Sequence, residues 1–523
     1  MSSIGKNYLS TIRREFTGIM GRTFLLLLTE NFKLPYYSVP NLGLNPISRF
    51  IDFTMKKLLL FIIIFSMFFQ FTSAQINEGK KPNVILIFID DMGWADLSSF
   101  GNTDAQTPTI DKLASEGISF EQFYVNSPIC SPSRVAISTG TYPQRWGITS
   151  YLDNRNQNQV RGMENWLDPS APMLARSLHD SGYTTGHFGK WHMGGQRDVA
   201  DAPKINEYGF DESLTNFEGM GPKLLPLTKD ETGKVGRIWE DAERLGGPTT
   251  WMQRSKITTG FVDAAIAFIE KANSDNTPFY VNVWPDDVHS PYWPPFEEYG
   301  LAKEKGKRGL YLAVLESMDQ QIGKLIEFIR ADESLKNNTL ILLCSDNGPE
   351  LGAGSAGELK GYKTHLYEGG IRSSLIVWGP GFIEEKAEGM RNKESVFSAV
   401  DFAPSLRAFT NSETSESRFT DGENVLKTML GKSTASRKSP IFFSRPPDRK
   451  SYYGIENLPD LAVRAGKWKL LCDYDGGRPE LYNLDEDQSE SNNLAKENSD
   501  ITQKLIEKVT AWYASMPKPV SQN

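Results

Sequence analysis

The chain of 523 residues is long enough for two to four domains, and its 39% hydrophobic and 11% aromatic residues suffice for large buried cores. A formal net charge of −8 excludes a general attraction to nucleic acid or to acidic membranes, so an anionic ligand would need a local cluster of basic residues. The three cysteines, Cys130, Cys344 and Cys472, are too few and too scattered for a disulfide framework.

A basic and apolar segment near the N-terminus predicts export. Residues 55–75 read MKKLLLFIIIFSMFFQFTSAQ, with a short basic start, a long apolar run and small residues before Gln75. We interpret residues 55–74 as a signal peptide cleaved after Ala74, because the apolar run is short for a membrane span. The mature protein is then periplasmic or secreted, with no stable membrane insertion after signal cleavage. Residues 1–54 show no periodic pattern, and we interpret them as a start-site artefact or disordered chain.

The first strong structural signal is the run KPNVILIFIDD at residues 81–91, which predicts a buried strand. This strand ends on two acidic residues, Asp90 and Asp91. Residues 107–120 then predict a helix that begins at a Thr-Pro pair and is terminated by Gly117. A strand, an acidic tip and a helix in this order are typical of an α/β fold.

Two further apolar runs, at residues 278–284 and 339–348, predict buried strands of the parallel type, and each leads into polar residues. Between them, residues 311–330 have apolar side chains at helical spacing. Strands that alternate with helices predict the α/β class, with a large mixed, mostly parallel sheet sandwiched by helices. Ligands of such sheets bind at the carboxyl ends of the strands, where acidic residues stand in this sequence.

The composition changes after about residue 409. The polar stretch at residues 410–424 predicts a linker or surface loop. Short runs typical of antiparallel strands follow, and residues 499–514 predict a closing helix. We therefore divide the chain into a large domain at residues 81–410 and a smaller C-terminal α+β subdomain at residues 411–523.

Five segments place polar or ionisable residues at strand ends or turns. They are Asp90 with Asp91, Cys130 with Arg134, Lys190 with His192, His289, and Asp346 and Asn347 with Lys363. Separately each has an ordinary explanation, because acidic residues cap helices, Asp-Asn-Gly is a common turn and a histidine before Ser-Pro can be a surface residue. Together they supply oxygen ligands for Ca²⁺ or Mg²⁺ and cations for an anionic ester.

The segment around the first cysteine resembles a known family. CSPSRVAISTG at residues 130–140 matches the CxPSR signature of the formylglycine-dependent (type I) sulfatases, within the alkaline-phosphatase-like superfamily. The resemblance extends from about residue 81 to about residue 495 and includes YKTHLYEGGIR at residues 362–372. It implies an alkaline-phosphatase-like sulfatase fold, a catalytic sulfatase domain at residues 81–410 and similarity to exported bacterial polysaccharide sulfatases.

The resemblance implies a modified nucleophile and a metal ion. Cys130 would be converted to 3-oxoalanine (formylglycine) by a formylglycine-generating or radical sulfatase-maturating enzyme, and the hydrated aldehyde would attack sulfur. The implied cation is Ca²⁺, with Mg²⁺ as the alternative. Its implied ligands are Asp90, Asp91, Cys130, Asp346 and Asn347.

The remaining motif positions receive catalytic roles from the same resemblance. Arg134 and Lys190 would neutralise charge near the formylglycine and the sulfate. His192 would take a proton as sulfate is eliminated. His289 and Lys363 would contact the sulfate and the bridging oxygen, with His289 as the general acid for the leaving alcohol. The residues before His289, PDDV, depart from the family pattern.

The leading hypothesis is therefore an exported sulfatase acting on a sulfated polysaccharide or its oligosaccharides, with an algal glycan such as ulvan or carrageenan favoured. A glycosaminoglycan sulfatase and a phosphonate or phosphodiester hydrolase of the same superfamily are the alternatives. A sulfated-glycan-binding protein with an unconverted Cys130 is the non-enzymatic alternative.

Substrate specificity is expected to come from loops around the strand ends. The candidate loops are residues 155–166, 204–213 and 289–299. In these loops Tyr292 and Trp293 are candidates to stack on a sugar ring, and Arg155 and Arg161 are candidates to bind a second anionic group.

Overall fold

A computed structural model describes most of the chain beyond the predicted signal peptide. It covers residues 80–216, 218–229, 232–413, 419–448 and 455–517. Both the signal peptide predicted at residues 55–74 and the segment at residues 1–54 lie outside the described residues. Within those ranges, no helix has the combined length and apolar character needed to cross a membrane.

A 12-stranded sheet forms the centre of the fold. Its strands are β1 Asn83–Ile89, β2 Ile118–Tyr124, β3 Thr184–Gly189, β4 Glu212–Thr215, β5 Lys223–Lys229, β6 Val235–Arg237, β7 Thr249–Gln253, β8 Phe279–Trp284, β9 Thr339–Ser345, β10 Arg372–Trp378, β11 Met390–Asn392 and β12 Phe397–Ser398. The order across the sheet is β11-β2-β10-β9-β1-β8-β3-β4-β5-β6, with β12 beside β2 and β7 beside β5.

The central strands β9, β1, β8 and β3 run parallel to one another, whereas β10 is antiparallel to both of its neighbours, β2 and β9. The register pairs Ile89 with Ser345 and Gly189 with Trp284, so these strands end at a common edge. Every residue of β1, β8 and β9 is buried. The mixed, mostly parallel sheet predicted from the apolar runs is confirmed.

The described chain has twelve α-helices, several of which cover the two faces of this sheet. They are α1 Pro108–Glu116, α2 Cys130–Thr139, α3 Arg155–Val160, α4 Leu174–Asp180, α5 Ile257–Ser274, α6 Phe296–Glu304, α7 Gly306–Ala331, α8 Glu333–Lys336, α9 Glu368–Ile371, α10 Phe402–Thr410, α11 Leu426–Met429 and α12 Ser499–Ala514. Successive residues of β1 enter two separate cores, because side chains alternate between the faces of a strand. Val84 and Leu86 pack in the core of α2, α4 and α10, and Ile85 and Ile87 in that of α5 and α7.

A second sheet lies in the C-terminal part of the chain. It consists of the antiparallel strands β13 Ile441–Ser444, β14 Leu461–Ala465, β15 Trp468–Cys472 and β16 Glu480–Asn483, in that order. The apolar segment around Gly466 forms a hairpin rather than one strand, and Gly466 takes a φ of 58° in its turn. Helix α12, predicted from its spacing, packs on this sheet through Val509 and Trp512.

A fully buried ion cluster joins the two sheets. Lys469 of β15 lies 2.9 Å from Glu368 of α9 and 2.8 Å from Glu490, and none of the three side chains is exposed. Tyr124, the last residue of β2, donates its hydroxyl to Glu368 at 2.7 Å. Removing one partner of such a cluster leaves charge that is buried and uncompensated.

Replacing Lys469 with methionine is therefore expected to lower the free energy of unfolding by about 3–5 kcal/mol, because two buried carboxylates lose their cation. Lys467 is the matched control, since it stands two residues earlier on the same hairpin and is exposed. Lys467→Met should change stability by less than about 0.5 kcal/mol. Urea unfolding of both variants measures the difference, and equal effects would contradict the role given to the cluster.

Candidate active site

Four neighbouring parallel strands end at one edge of the large sheet, and each delivers polar residues there. Asp90 and Asp91 follow β1, and Asp346 follows β9. Lys190 follows β3, and the loop after β8 brings His289. Because parallel strands present their carboxyl ends at the same edge, residues that are far apart in sequence converge.

The turn after β3 depends on a glycine. Gly189 has a φ of 126°, and a Cβ built there would lie 1.9 Å from the backbone oxygen of Trp284. The close approach lets the backbone N–H of Lys190 donate to Trp284 at 2.8 Å. Asp91 and His192 also have left-handed backbone conformations, with φ of 61° and 52°, so the chain turns sharply where these side chains enter the site.

The predicted metal ligands come together. One potential ligand atom from each of Asp90, Asp91, Cys130 and Asp346 lies within 4.8 Å of the others, and all four residues are buried. Asn347 donates its amide to Asp91 at 2.7 Å, which leaves its side-chain oxygen, Oδ1, buried with no hydrogen-bond partner among the described residues. An orphaned oxygen beside three carboxylates fits a divalent cation with oxygen ligands.

The charge balance of this cluster also fits a cation. Burial and the neighbouring Asp90 raise the pKa of Asp346 to about 7. Burial opposes ionisation of Asp90 as well, but Lys190 and His289 hold the pKa of Asp90 well below its usual range. The neighbouring cations thus offset only part of the cost of ionising both carboxylates. A bound divalent cation would reduce the repulsion between Asp90 and Asp346.

Three cations surround the carboxylates. Lys190 lies 2.8 Å from Asp90, and Lys363 lies 2.7 Å from Asp91. Arg134 lies 2.7 Å from Asp346 and donates to the backbone oxygen of Lys190 at 2.8 Å. All of them are buried, and Lys190 and Lys363 line a cavity, so these two lysines can meet an anionic ligand with little competition from bulk water.

Cys130 is the first residue of α2 and is 2% exposed. Its Sγ lies 3.5 Å from Asp90 Oδ1, at the boundary between the carboxylates and the cavity above them. Burial raises the pKa of the Cys130 thiol above its ordinary value. An unmodified thiol at this position is therefore held in its protonated form in the cation-free protein.

The tautomer of His192 follows from its surroundings. Its Nε2 lies 3.1 Å from the backbone oxygen of Leu152, which can only accept, so Nε2 bears the proton. Glu218 lies on the same side, 3.2 Å from Nε2. Nδ1 is buried, lacks a hydrogen-bond partner in the described part of the chain and is left with a lone pair. His192 thus has its lone pair on Nδ1, and burial together with the nearby Lys190 holds its pKa well below the usual range.

Glu218 is a site residue that the sequence did not reveal. Only 1% of it is exposed, and burial raises its pKa to about 8. It lies in an irregular segment between β4 and β5, where no motif marks it. A carboxyl group with this environment is largely protonated at neutral pH and can hydrogen-bond without adding full negative charge to the site.

Glu218→Gln is expected to alter the pH dependence of stability. The raised pKa means that the unfolded chain ionises Glu218 near pH 4.5 while the folded protein resists ionisation until about pH 8. Wild-type stability therefore declines relative to the variant as pH rises through this window, by on the order of 1 kcal/mol per pH unit. Urea unfolding at pH 5, 6.5 and 8 with a chelator present measures it, and parallel pH profiles would contradict the assignment.

His289 completes the polar wall of the site. Its Nδ1 lies 2.6 Å from the backbone oxygen of Ser290, so Nδ1 is the donor and Nε2 faces Asp91 at 3.6 Å. Burial and the nearby Lys363 lower the pKa of His289. Its side chain is 31% exposed, which places it between the buried cluster and the cavity opening.

A cavity of about 320 Å³ opens above the cluster. Besides the predicted residues, its walls include Tyr151, Arg197, Asn216, Glu218, Trp239, Asp286 and Glu350. This volume suits a monosaccharide-sized ligand. Tyr151 and Trp239 offer aromatic faces, and Arg197 offers a half-exposed cation held by Asp153 at 2.7 Å.

The loop residues expected to bind sugar lie elsewhere. Trp293 stacks on Tyr299 with ring centroids 5.0 Å apart, and the hydroxyl of Tyr292 bonds to Glu350. Arg161 lies over the ring of Tyr151 and does not line the cavity. Arg155 pairs with Asp201 and is likewise outside the walls. These four side chains do not line the cavity itself, and contact between them and a sugar stays a prediction.

Comparison with known proteins agrees with the geometry. The model of the Sulfatase family matches residues 82–412, which is more than half of the chain. The chain belongs to the sulfatase family. As a sulfatase it is a sulfuric ester hydrolase, and this family generally uses a formylglycine and a divalent metal ion. The described site has a cysteine and an acidic cluster where such chemistry requires them.

Several relatives of this sulfatase act on sulfated sugars. An N-acetylgalactosamine-6-O-sulfatase of Bacteroides thetaiotaomicron is 27% identical over 508 residues, covering 82% of this chain and 93% of the relative. The human N-acetylgalactosamine-6-sulfatase is 29% identical, covering 70% of this chain and 69% of the relative. The crystal structure of Ps i-CgsB with a neocarrahexaose has 26% identity and a TM-score of 0.69, covering 84% and 94% of the two chains.

Proposed function

We propose that this sulfatase is an exported, periplasmic or secreted enzyme that removes sulfate from galactose or N-acetylgalactosamine units of a sulfated polysaccharide or its oligosaccharides. Carrageenan-type and glycosaminoglycan substrates both belong to this class. The names of the relatives support the sugar, and the predicted signal peptide at residues 55–74 supports export. The observation that carries the proposal is the convergence of Cys130, the carboxylates and the basic residues below one cavity.

The acidic cluster would hold the metal ion. We assign Asp90, Asp91, Asp346 and Asn347 as its protein ligands, together with residue 130. Their hard oxygen donors favour Ca²⁺, with Mg²⁺ as the alternative. When bound, the cation polarises the sulfate oxygens and lowers the cost of the charge that develops during attack on sulfur.

Residue 130 would supply the nucleophile after oxidation of Cys130 by a maturation enzyme. The hydrated formylglycine supplies two hydroxyls on one carbon, one to attack sulfur and one to expel sulfate as the aldehyde re-forms. Lys190 pairs with Asp90 and Lys363 pairs with Asp91, and both lysines line the cavity, where they would neutralise the charge of the sulfate oxygens. Arg134 holds Asp346 in place from below.

Two histidines would move the protons. His192 has its Nδ1 lone pair directed away from Leu152, and this atom accepts the hydroxyl proton during sulfate elimination. His289 has Nδ1 fixed by Ser290, so Nε2 meets the bridging oxygen. The doubly protonated form of His289, which a bound anionic ester stabilises, delivers its Nε2 proton to the leaving alcohol. Each histidine thus uses the ring nitrogen that its backbone contact leaves available.

A panel of sulfated saccharides tests the proposal. Protein co-produced with a maturation enzyme is assayed on N-acetylgalactosamine 6-sulfate, carrageenan oligosaccharides, an ulvan oligosaccharide and a phenyl phosphonate ester. We expect sulfate release from at least one galacto-configured sugar and far slower turnover of the phosphonate. Faster turnover of the phosphonate, or sulfate release from the ulvan oligosaccharide alone, would overturn the substrate assignment.

A further inference from the structure

One acidic side chain in the cavity wall has no hydrogen-bond partner among the described residues. Asp286 is 2% exposed and follows β8 in the loop that leads to His289. Both of its carboxylate oxygens, Oδ1 and Oδ2, are buried without a hydrogen-bond partner among the described residues. An unsatisfied buried carboxylate is costly, so a fold that retains one has a free acceptor to offer a ligand.

The neighbouring Arg254 forms an ion pair with Asp286 but no hydrogen bond to its carboxylate. Arg254 lies 2.7 Å from Asp287, which also accepts the hydroxyl of Thr258 at 2.6 Å. The shortest ion-pair distance from Arg254 to Asp286 is 3.6 Å, longer than a hydrogen bond. Asp287 is therefore the structural partner of this arginine, and Asp286 is left facing the cavity.

The metal cluster does not account for Asp286 either. The described residues that can share a cation with Cys130 are Asp90, Asp91, Asp346 and His289. Asp286 is outside these groups, and burial together with Asp287 raises its pKa despite Arg254. The Asp286 carboxylate has an ion pair with Arg254 at 3.6 Å but no hydrogen-bond donor among the described residues, so hydroxyl groups of a ligand are donors that fit it.

The position of Asp286 indicates which part of the ligand it meets. The backbone N–H of His289 donates to the backbone oxygen of Asp286 at 3.0 Å, so the two residues share one turn. With His289 assigned to the bridging oxygen, Asp286 would meet the part of the sugar ring nearest to the ester. Its two free oxygens can accept two hydroxyls, and its charge repels a second anionic group.

We propose that Asp286 accepts hydrogen bonds from the ring hydroxyls nearest to the sulfate ester, the C4 hydroxyl in a 6-sulfate, so that the site selects a sugar with these hydroxyls free over one sulfated or carboxylated there. This inference rests on the sulfatase function proposed above and adds the substitution pattern of the substrate. In this arrangement Lys190 and Lys363 bind the sulfate group, and Asp286 binds the sugar ring.

The test compares an ester that has sugar hydroxyls with one that lacks them. For Asp286→Asn, kcat/KM on N-acetylgalactosamine 6-sulfate is expected to fall about 10- to 100-fold more than kcat/KM on 4-nitrophenyl sulfate. For the wild type, kcat/KM on N-acetylgalactosamine 6-sulfate should exceed kcat/KM on the 4,6-disulfate by about 10-fold or more. In Asp286→Asn the ratio of these two values should be smaller. Equal losses on both esters, or no loss, would overturn the inference.

Two further measurements distinguish a loss of sugar binding from a loss of stability or of catalysis. Asp287→Asn is the matched control, because it removes a paired carboxylate one residue away, and it should lower thermal stability and affect both esters in proportion. In unconverted Cys130→Ser protein, calorimetry with N-acetylgalactosamine 6-sulfate and with inorganic sulfate reports binding alone. Asp286→Asn should weaken binding of the sugar ester more than binding of sulfate. An equal change in both affinities would refute the assignment even if the enzyme proved inactive.

Discussion

Substitution of Cys130 by serine is expected to reduce sulfate release by about 10⁴-fold or more, the scale seen when a catalytic nucleophile is removed. A serine has one hydroxyl and cannot expel sulfate by re-forming an aldehyde. The measurement is kcat/KM on the best sugar ester together with the mass of the peptide that contains residue 130. In active wild-type protein that peptide should show replacement of the thiol group by an aldehyde.

The other two cysteines provide matched controls. Cys344 lies in β9 and Cys472 in β15, and both are buried in cores away from the cavity. Alanine at either position should lower stability by about 1–2 kcal/mol and leave kcat/KM within about threefold. Activity in Cys130→Ser equal to that of the wild type, or an unmodified Cys130 in fully active protein, would refute the formylglycine mechanism.

Removal of divalent cations is expected to abolish most activity and to lower stability. A ligand at 100 times its Kd stabilises the folded state by about 2.7 kcal/mol. The effect should be larger at pH 8 than at pH 5.5, because cation ligands must be deprotonated and the pKa of Asp346 is raised to about 7 without the cation. Urea unfolding after chelation, with and without added Ca²⁺, measures this at both pH values.

Asp346→Asn should remove most of the stabilisation by Ca²⁺, because the cluster loses a carboxylate ligand. Asp319→Asn is the matched control, since Asp319 is a buried carboxylate that accepts the backbone N–H groups of Thr109 and Ile110 far from the cavity. That variant should respond to Ca²⁺ as the wild type does. If Ca²⁺ stabilised Asp346→Asn as much as the wild type, the acidic cluster would be excluded as the cation site. If Mg²⁺ stabilised the wild type more than Ca²⁺ does, the bound ion would be assigned as Mg²⁺.

Much of the site could be predicted because its residues stand at recognisable positions. Strands β1 and β9 are continuous apolar runs that end on acidic residues, and parallel pairing brings such ends together. Cys130 and Lys190 lie in motifs with family resemblance. The antiparallel direction of β10 could not be predicted, because strand direction depends on distant connections and not on the composition of the run RSSLIVW.

The residues that line the cavity wall were harder to predict for a different reason. Glu218 lies in a segment with little periodicity, and its role depends on packing against His192, which is 26 positions earlier in the chain. Asp286 and Asp287 are adjacent and chemically identical, yet only the Asp287 carboxylate lies within hydrogen-bond distance of Arg254 and Thr258. The sequence shows that a carboxylate is present, whereas the tertiary structure determines whether that carboxylate has hydrogen-bond donors around it.

The burial of helix α2 has a consequence for how active protein is made. All ten residues of Cys130–Thr139 are buried, including Arg134. A maturation enzyme that oxidises Cys130 needs this segment as an accessible peptide, so oxidation and folding compete in time. A molecule that folds first retains its thiol permanently. The fraction of active enzyme in a preparation would then depend on the rate of Cys130 oxidation relative to the rate of folding. Slower folding during production would raise this fraction.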